Sequence, residues 1–166
     1  MTWLWKGLSA KAQGIREEGR WGIRGGTKGK DVNKENTAGK VKTFEDLIVW
    51  QKSHQLFLDI VEDVESFPNK RAAWVITDQI VRSSSSISTN ISEGFGRKTR
   101  ADYEHFLIIA RGSTTETQNW LIKCADLQYI SKDILCYRNE VCIEILKMIN
   151  ALIGSLRKKD TTSLRP

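Results

Sequence analysis

The chain has 166 residues, 40% of them hydrophobic and 28% charged, with a formal net charge of +6. That length suits one domain able to bury about two-thirds of the surface its unfolded form exposes, so the fold needs neither metal nor disulfide. Cys124, Cys136 and Cys142 are odd in number and lack C-x-x-C spacing, and no uncharged run approaches the ~18 residues of a membrane span; a disulfide scaffold and a membrane protein are excluded, leaving a soluble protein of a reducing cytoplasm.

The positive charge is unevenly spread. Residues 1–43 hold ten Lys and Arg against four acidic residues, while residues 44–166 hold sixteen of each. The leader "KAQGIREEGRWGIRGGTKGKDVNKENTAGKVK" is rich in glycine, poor in aliphatics and aperiodic, so it cannot bury enough apolar surface to offset its ordering entropy. Residues 1–43 are therefore expected to form a basic, disordered leader. Trp3, Trp5 and Trp21 interleave with its cations, a composition suited to stacking on single-stranded nucleic acid. The alternatives are a non-specific tail or extra residues from an upstream start codon.

From Thr43 onward the apolar period is helical, and four helices account for it. Thr43 is expected to cap the first, with Glu45 and Asp46 complementing its dipole and Leu47, Trp50, His54, Phe57, Val61 and Val64 forming the buried seam. Pro68 ends that helix, and Asn69 caps the next. The second helix, from about Lys70 to Glu93, places Ala73, Ile76, Ile80, Ser83, Ile87 and Ile91 inward. Its centre is "SSSS", Ser83 to Ser86, and the third helix offers "GSTT", Gly112 to Thr115; facing small residues allow the two to approach closely.

The third helix opens on a Thr99–Asp102 capping box and carries Tyr103, Phe106, Ala110, Ser113, Thr117, Trp120, Cys124 and Leu127 along its seam. Ser131 caps the fourth, whose seam is Ile134, Val141, Ile145, Met148, Leu152 and Leu156. Short connections imply an all-α, antiparallel up-down-up-down four-helix bundle over residues 44–159, followed by a fraying tail at 160–166. Val49, Phe95, Leu107, Ile108, Leu121, Ile122 and Ile149 fall off these seams. They are expected on outer faces, where self-association covers them.

Gly94-Phe95-Gly96-Arg97-Lys98-Thr99 raises the question of a phosphate loop. One residue between the glycines and a preceding helix do not meet the Walker pattern. Gly94 is expected instead to end the second helix in the left-handed conformation, and Gly96 to help reverse the chain. What remains is a set of cations: Arg97, Lys98 and Arg100 beside the free amides of the third helix, Arg157, Lys158 and Lys159 at the end of the fourth, and Arg111 between them. These are the candidate nucleic-acid contacts.

Gln79, Arg82, Asn90, Glu93 and Glu116 read as a hydrogen-bonded, salt-bridged structural network around Arg82. Paired carboxylates doing acid–base or metal work are the alternative, but the Glu-x-x-His pairs that bundles use for carboxylate-bridged metals are missing. His54 and His105 read as packed or interfacial rather than as general bases. Neither a G-x-S-x-G elbow nor an H-E-x-x-H helix occurs. No catalytic residue, metal or cofactor is expected.

"FEDLIVWQKSHQLFLDIV" at Phe44 to Val61, "QIVRSSSSISTNISEGFGRKTRADYEHFLIIARGSTTETQNWL" at Gln79 to Leu121 and "INALIGSL" at Ile149 to Leu156 resemble the four-helix bundle proteins encoded in intervening sequences of bacterial 23S ribosomal RNA genes. The most specific part is the turn carrying Asn90, Glu93, Gly94, Gly96 and Arg97, followed by Gly112, Ser113 and Glu116 on a long helix. Ser88 stands where the family usually has proline, which implies a less kinked second helix. The resemblance implies a homo-oligomeric ring, commonly of five, and a loose kinship with the accessory proteins of diversity-generating retroelements, which bind nucleic acid and a reverse transcriptase. It lends no catalytic residue, and the family name describes gene location more than chemistry.

The combined expectation is a non-enzymatic oligomeric scaffold that binds RNA or another nucleic acid through its basic bundle ends. A hub for a protein partner with no nucleic-acid role is the alternative. An enzyme acting on a phosphorylated substrate through Glu93, Glu116 or a histidine is a third reading.

Overall fold

Thr43 does not start the first α-helix. The Asp46 carboxylate reaches back to accept hydrogen bonds from the backbone amides of Thr43 at 2.9 Å and Lys42 at 2.8 Å. Those amides, Thr43 first, hold the Asp46 carboxyl below its ordinary pKa. The segment Phe44–Asp46 winds into a 3-10 turn, and helix α1 (Ile48–Val64) begins only after the extended residue Leu47. The structure, a computed structural model, describes residues 41–162, with side chains as far as Lys158. The expectations for residues 1–40 and 163–166 lie outside the described residues.

Three longer helices follow: α2 (Arg71–Phe95), α3 (Arg100–Asp126) and α4 (Lys132–Thr162). Lys70, not Asn69, precedes α2, because a tight turn from Pro68 O to Lys70 N (2.8 Å) delays the helix by one residue. Thr99 caps α3 as expected: its hydroxyl oxygen accepts from the Asp102 amide at 3.1 Å and its proton goes to the Asp102 carboxylate at 2.6 Å. The Ser131 hydroxyl accepts from Ile134 N at 3.2 Å at the start of α4. Each helix packs on its neighbours in sequence, and α4 closes on α1. Among the described residues there is no strand, so the fold is an all-α, up-down-up-down four-helix bundle.

The core runs along stripes that differ from the expected seams. In α1 the buried residues are Val49, Ser53, Leu56 and Ile60, whereas Trp50, His54, Phe57 and Val61 are half-buried. Val49, Leu107, Leu121 and Ile149, expected outside, are core residues, while Ile108 and Ile122 stay exposed. A helical period of 3.6 leaves adjacent stripes only about 100° apart, so spacing alone does not select one. The selection comes from packing against the neighbouring helices: Val49, Leu56 and Ile60 join the common core, and Lys52, Asp59 and Asp63 on the flank of that stripe bond to α4. Each fully buried Leu or Ile contributes about 1.5–3 kcal/mol by leaving water.

Small residues do line the α2–α3 contact. Ser83, Ser84, Ser113, Thr114 and Thr117 are buried. Thr117 Oγ1 donates to Ser83 Oγ at 3.0 Å, and the Ser86 and Ser113 hydroxyls lie 3.0 Å apart. Gly112 takes no part, since nothing lies within 4 Å of where its Cβ would be. Gly94 also departs from expectation. It lies inside α2 rather than at a left-handed terminus, and a Cβ there would come within 2.8 Å of Phe106 Cβ and of Tyr103 Cδ2. Close packing of α3, not backbone conformation, requires glycine at this position. Gly96 likewise keeps a right-handed φ of −75°. Helix α2 runs unbroken through Ser88, whose hydroxyl donates to Ser85 O at 3.3 Å.

Candidate nucleic-acid interface

The Arg157 guanidinium donates to Glu104 Oε1 from Nε at 2.8 Å and Nη2 at 2.5 Å. This pair sets the last turns of α4 beside the first turn of α3. The connection from α2 to α3 supplies Arg97 and Lys98 at the same end of the bundle, with Arg100 opening α3. Lys42 lies at this end too, because the start of α1 and the close of α2 share one end in an up-down bundle. The topology therefore gathers Arg97, Lys98, Arg100, Arg157 and Lys158, which are far apart in sequence. Arg111 is not part of this group: it lies 11 residues beyond Arg100, about 16 Å along α3, and donates to Asn150 Oδ1 at 3.2 Å. The Lys159 side chain lies outside the described residues.

Acidic groups temper the field at this end. Arg97 is paired with Glu93 one helical turn away, and its guanidinium lies 4.6 Å from the centre of the Phe106 ring. Hydrogen bonding to Glu104, reinforced by its charge, raises the Arg157 pKa. Phe95 meets Tyr103 edge to face at 6.4 Å, and burial pushes the Tyr103 hydroxyl up from its ordinary pKa.

The five polar residues expected to form one network do not converge. Arg82 donates to Gln79 Oε1 at 2.7 Å. Asn90 donates to Ser86 O at 2.7 Å and Ser86 Oγ at 2.9 Å, which ties it to the serine seam. Glu93 belongs to Arg97, and Glu116 accepts from Trp120 Nε1 at 3.4 Å. The histidines are apart too: His54 stacks on Trp50 at 5.0 Å with 6° between the rings, while His105 is exposed and edge-on to Phe106 at 5.8 Å.

The strongest ion cluster was not among the sequence expectations. Arg138, 9% exposed, donates to Asp63 from Nε at 2.9 Å and Nη2 at 3.2 Å, and to Asp59 from Nη1 at 2.6 Å. Burial works against its charge, but the hydrogen bond to Asp63 and the two carboxylates more than offset this and leave its pKa raised. The available signals were an arginine four residues after Ile134 on the α4 seam and two aspartates one turn apart on α1.

The turn carrying Glu93, Gly94 and Arg97, and the whole of α1 to α3, lie within a match to the family model described as 23S rRNA-intervening sequence protein, which spans residues 45–151. The chain belongs to that family. It is also similar to a crystal structure from Bacteroides thetaiotaomicron VPI-5482, described as a protein with unknown function from the S23 ribosomal protein family. The two are 31% identical with a TM-score of 0.60, over 64% of this chain and 98% of that one. No curated protein matches the chain. Within this intervening-sequence protein, Arg97, Lys98, Arg100 and Arg111 fall inside the matched segment, whereas Arg157 and Lys158 lie beyond it. Among the described residues no helix is long and apolar enough to cross a membrane, and no cluster of three His, Cys, Asp or Glu side chains could hold a metal ion.

Proposed function

We propose that this intervening-sequence protein is a non-enzymatic, self-associating helical scaffold whose basic end contacts RNA or another nucleic acid. The observation that carries the nucleic-acid part is the gathering of Arg97, Lys98 and Arg100 with Arg157 and Lys158 at one end of the bundle. Backbone phosphates are recognised by such cations without sequence preference. The separate structural partners of Glu93, Glu116 and His54 support the non-catalytic part. The free thiols Cys124, Cys136 and Cys142 suit a reducing cytoplasm.

Self-association draws support from two incompletely covered apolar flanks. Phe57 and Val61 flank the α1 core stripe half-buried, and Ile108 and Ile122 are 38% and 50% exposed on α3. Helices α1 and α3 do not pack on each other, so the flanks lie on different sides of the bundle. Two different patches suit a head-to-tail contact, the kind that makes a ring when the rotation between copies closes. A count of five rests on the family resemblance.

Light scattering and an RNA gel-shift assay, each run with and without residues 1–43, test the proposal. Binding is expected to weaken linearly as the logarithm of salt rises, and Arg97→Ala, Lys98→Ala and Arg100→Ala together are expected to flatten that slope by about 1 per lost phosphate contact. A stable monomer at micromolar concentration, or salt-independent association, overturns it. A protein-interaction hub is the second reading, favoured by the aromatic ladder that runs from Phe44 in the 3-10 turn to Trp50, His54 and Phe57 on α1. Capture of a partner that survives nuclease treatment, with no RNA shift, would select it.

A further inference from the structure

Two of the cations gathered at the basic end are already engaged. Glu93 pairs with Arg97 across one turn, both side chains 46% exposed. Glu104, with its side chain only 21% exposed, takes two hydrogen bonds from the more open Arg157. A phosphate approaching either guanidinium meets a carboxylate in the same place, and it must displace that group or share the arginine with it. The Arg97 guanidinium also lies against the Phe106 ring, which holds it at this end whether or not Glu93 is charged.

We infer that Glu93 and Glu104 restrain the affinity of this end for nucleic acid, an inference that rests on the nucleic-acid reading above. Each carboxylate masks one arginine and repels the incoming phosphate chain. An exposed ion pair competes by a factor of about 1.4 to 5, so releasing both arginines raises affinity about 2- to 25-fold at low salt. Glutamine preserves the size of each side chain and an accepting oxygen, so the packing around Phe106 and the first turn of α3 is retained.

The test measures the dissociation constant of a labelled single-stranded RNA oligonucleotide for the full chain, for Glu93→Gln, for Glu104→Gln and for the double variant, across a range of salt. The expected result is tighter binding in each single variant, the largest gain in the double, and a steeper dependence on salt. Equal or weaker binding by the glutamine variants, while Arg97→Ala, Lys98→Ala and Arg100→Ala together weaken binding and flatten its salt dependence, overturns the restraint and leaves the interface standing. No shift by any form, the glutamine variants included, overturns both. Circular dichroism checks each variant for helix content; if the double variant loses helix, the single variants decide.

Discussion

The Arg138 guanidinium of α4 grips the Asp63 carboxylate of α1 through two hydrogen bonds, at 2.9 and 3.2 Å, while its third nitrogen reaches Asp59 at 2.6 Å. This clamp and the Lys52–Glu144 pair at 2.6 Å join the last helix to the first. Removing one partner of a nearly buried charge costs more than removing them all, because the remaining ion loses its compensation. Asp63→Ala is expected to destabilise the bundle by about 2–3 kcal/mol, somewhat below the full cost of a buried pair because Asp59 remains. Replacing Arg138 by Met and both aspartates by Leu is expected to recover most of the loss. Urea unfolding followed by helical circular dichroism checks this; an Asp63→Ala midpoint equal to the parent's would show that the clamp contributes nothing.

Gly94 and Gly112 give opposite outcomes on substitution by alanine. At Gly94 the new methyl would lie 2.8 Å from Phe106 Cβ, an atom fixed to the α3 backbone that cannot swing aside. Overpacking of this kind costs about 1–3 kcal/mol, and a gain in helix propensity of at most about 1 kcal/mol does not compensate. At Gly112, exposed in the interior of α3, no atom lies within 4 Å of the added carbon. Gly112→Ala is expected to stabilise by about 0.5–1 kcal/mol. Thermal melts of the two variants should move in opposite directions.

The fold was legible from Thr43 onward because helical periodicity and turn chemistry agree, as at Thr99 and Ser131, where the expected caps form. Which stripe of each helix is buried was less legible. Trp50, His54 and Phe57 have the correct spacing, yet Leu56 and Ile60 fill the interior, since only partner helices fix rotation about the axis. Gly94 was read as a conformational glycine when its role is steric, a distinction that depends on Phe106 and Tyr103 across the contact. The basic end was legible as a list of cations. Of its acidic partners, Glu93 stands four residues before Arg97, but Glu104 was not legible as a partner because it and Arg157 are separated by 53 positions and meet only in the folded bundle.

The three thiols are expected to differ in reactivity. Burial pushes the Cys142 thiol up from 9.0 to about 12, and burial with the Asp63 charge pushes Cys124 up to about 11. Cys136 is exposed. At pH 8 a thiol reagent is expected to modify Cys136 rapidly and the other two only at the rate of unfolding. Both buried thiols ionise more easily in the unfolded chain, so their contribution to stability is complete below pH 9 and is lost as pH rises toward 11 and 12. The urea midpoint should therefore fall on the alkaline side. Cys142→Ala should flatten part of that fall, and rapid labelling of all three thiols at pH 8 would contradict this account.

Gln128 holds φ at 60°, the one positive φ on a non-glycine residue among the described residues. It follows the end of α3, where Gln128 N donates to Ala125 O at 2.9 Å and Tyr129 N to Cys124 O at 2.8 Å. That pair of bonds is the Schellman termination, which needs a left-handed residue just past the helix, usually glycine. The left-handed conformation costs a residue with a Cβ about 1–2 kcal/mol. Gln128→Gly removes this cost but makes the unfolded chain more flexible, so the expected net gain is about 0.5–1 kcal/mol. Gln128→Val, whose branched Cβ tolerates positive φ poorly, should lose stability. Unfolding midpoints in the order Gly above Gln above Val confirm that this turn is strained in the native chain; the reverse order would show that the Gln128 side chain contributes more than its backbone costs.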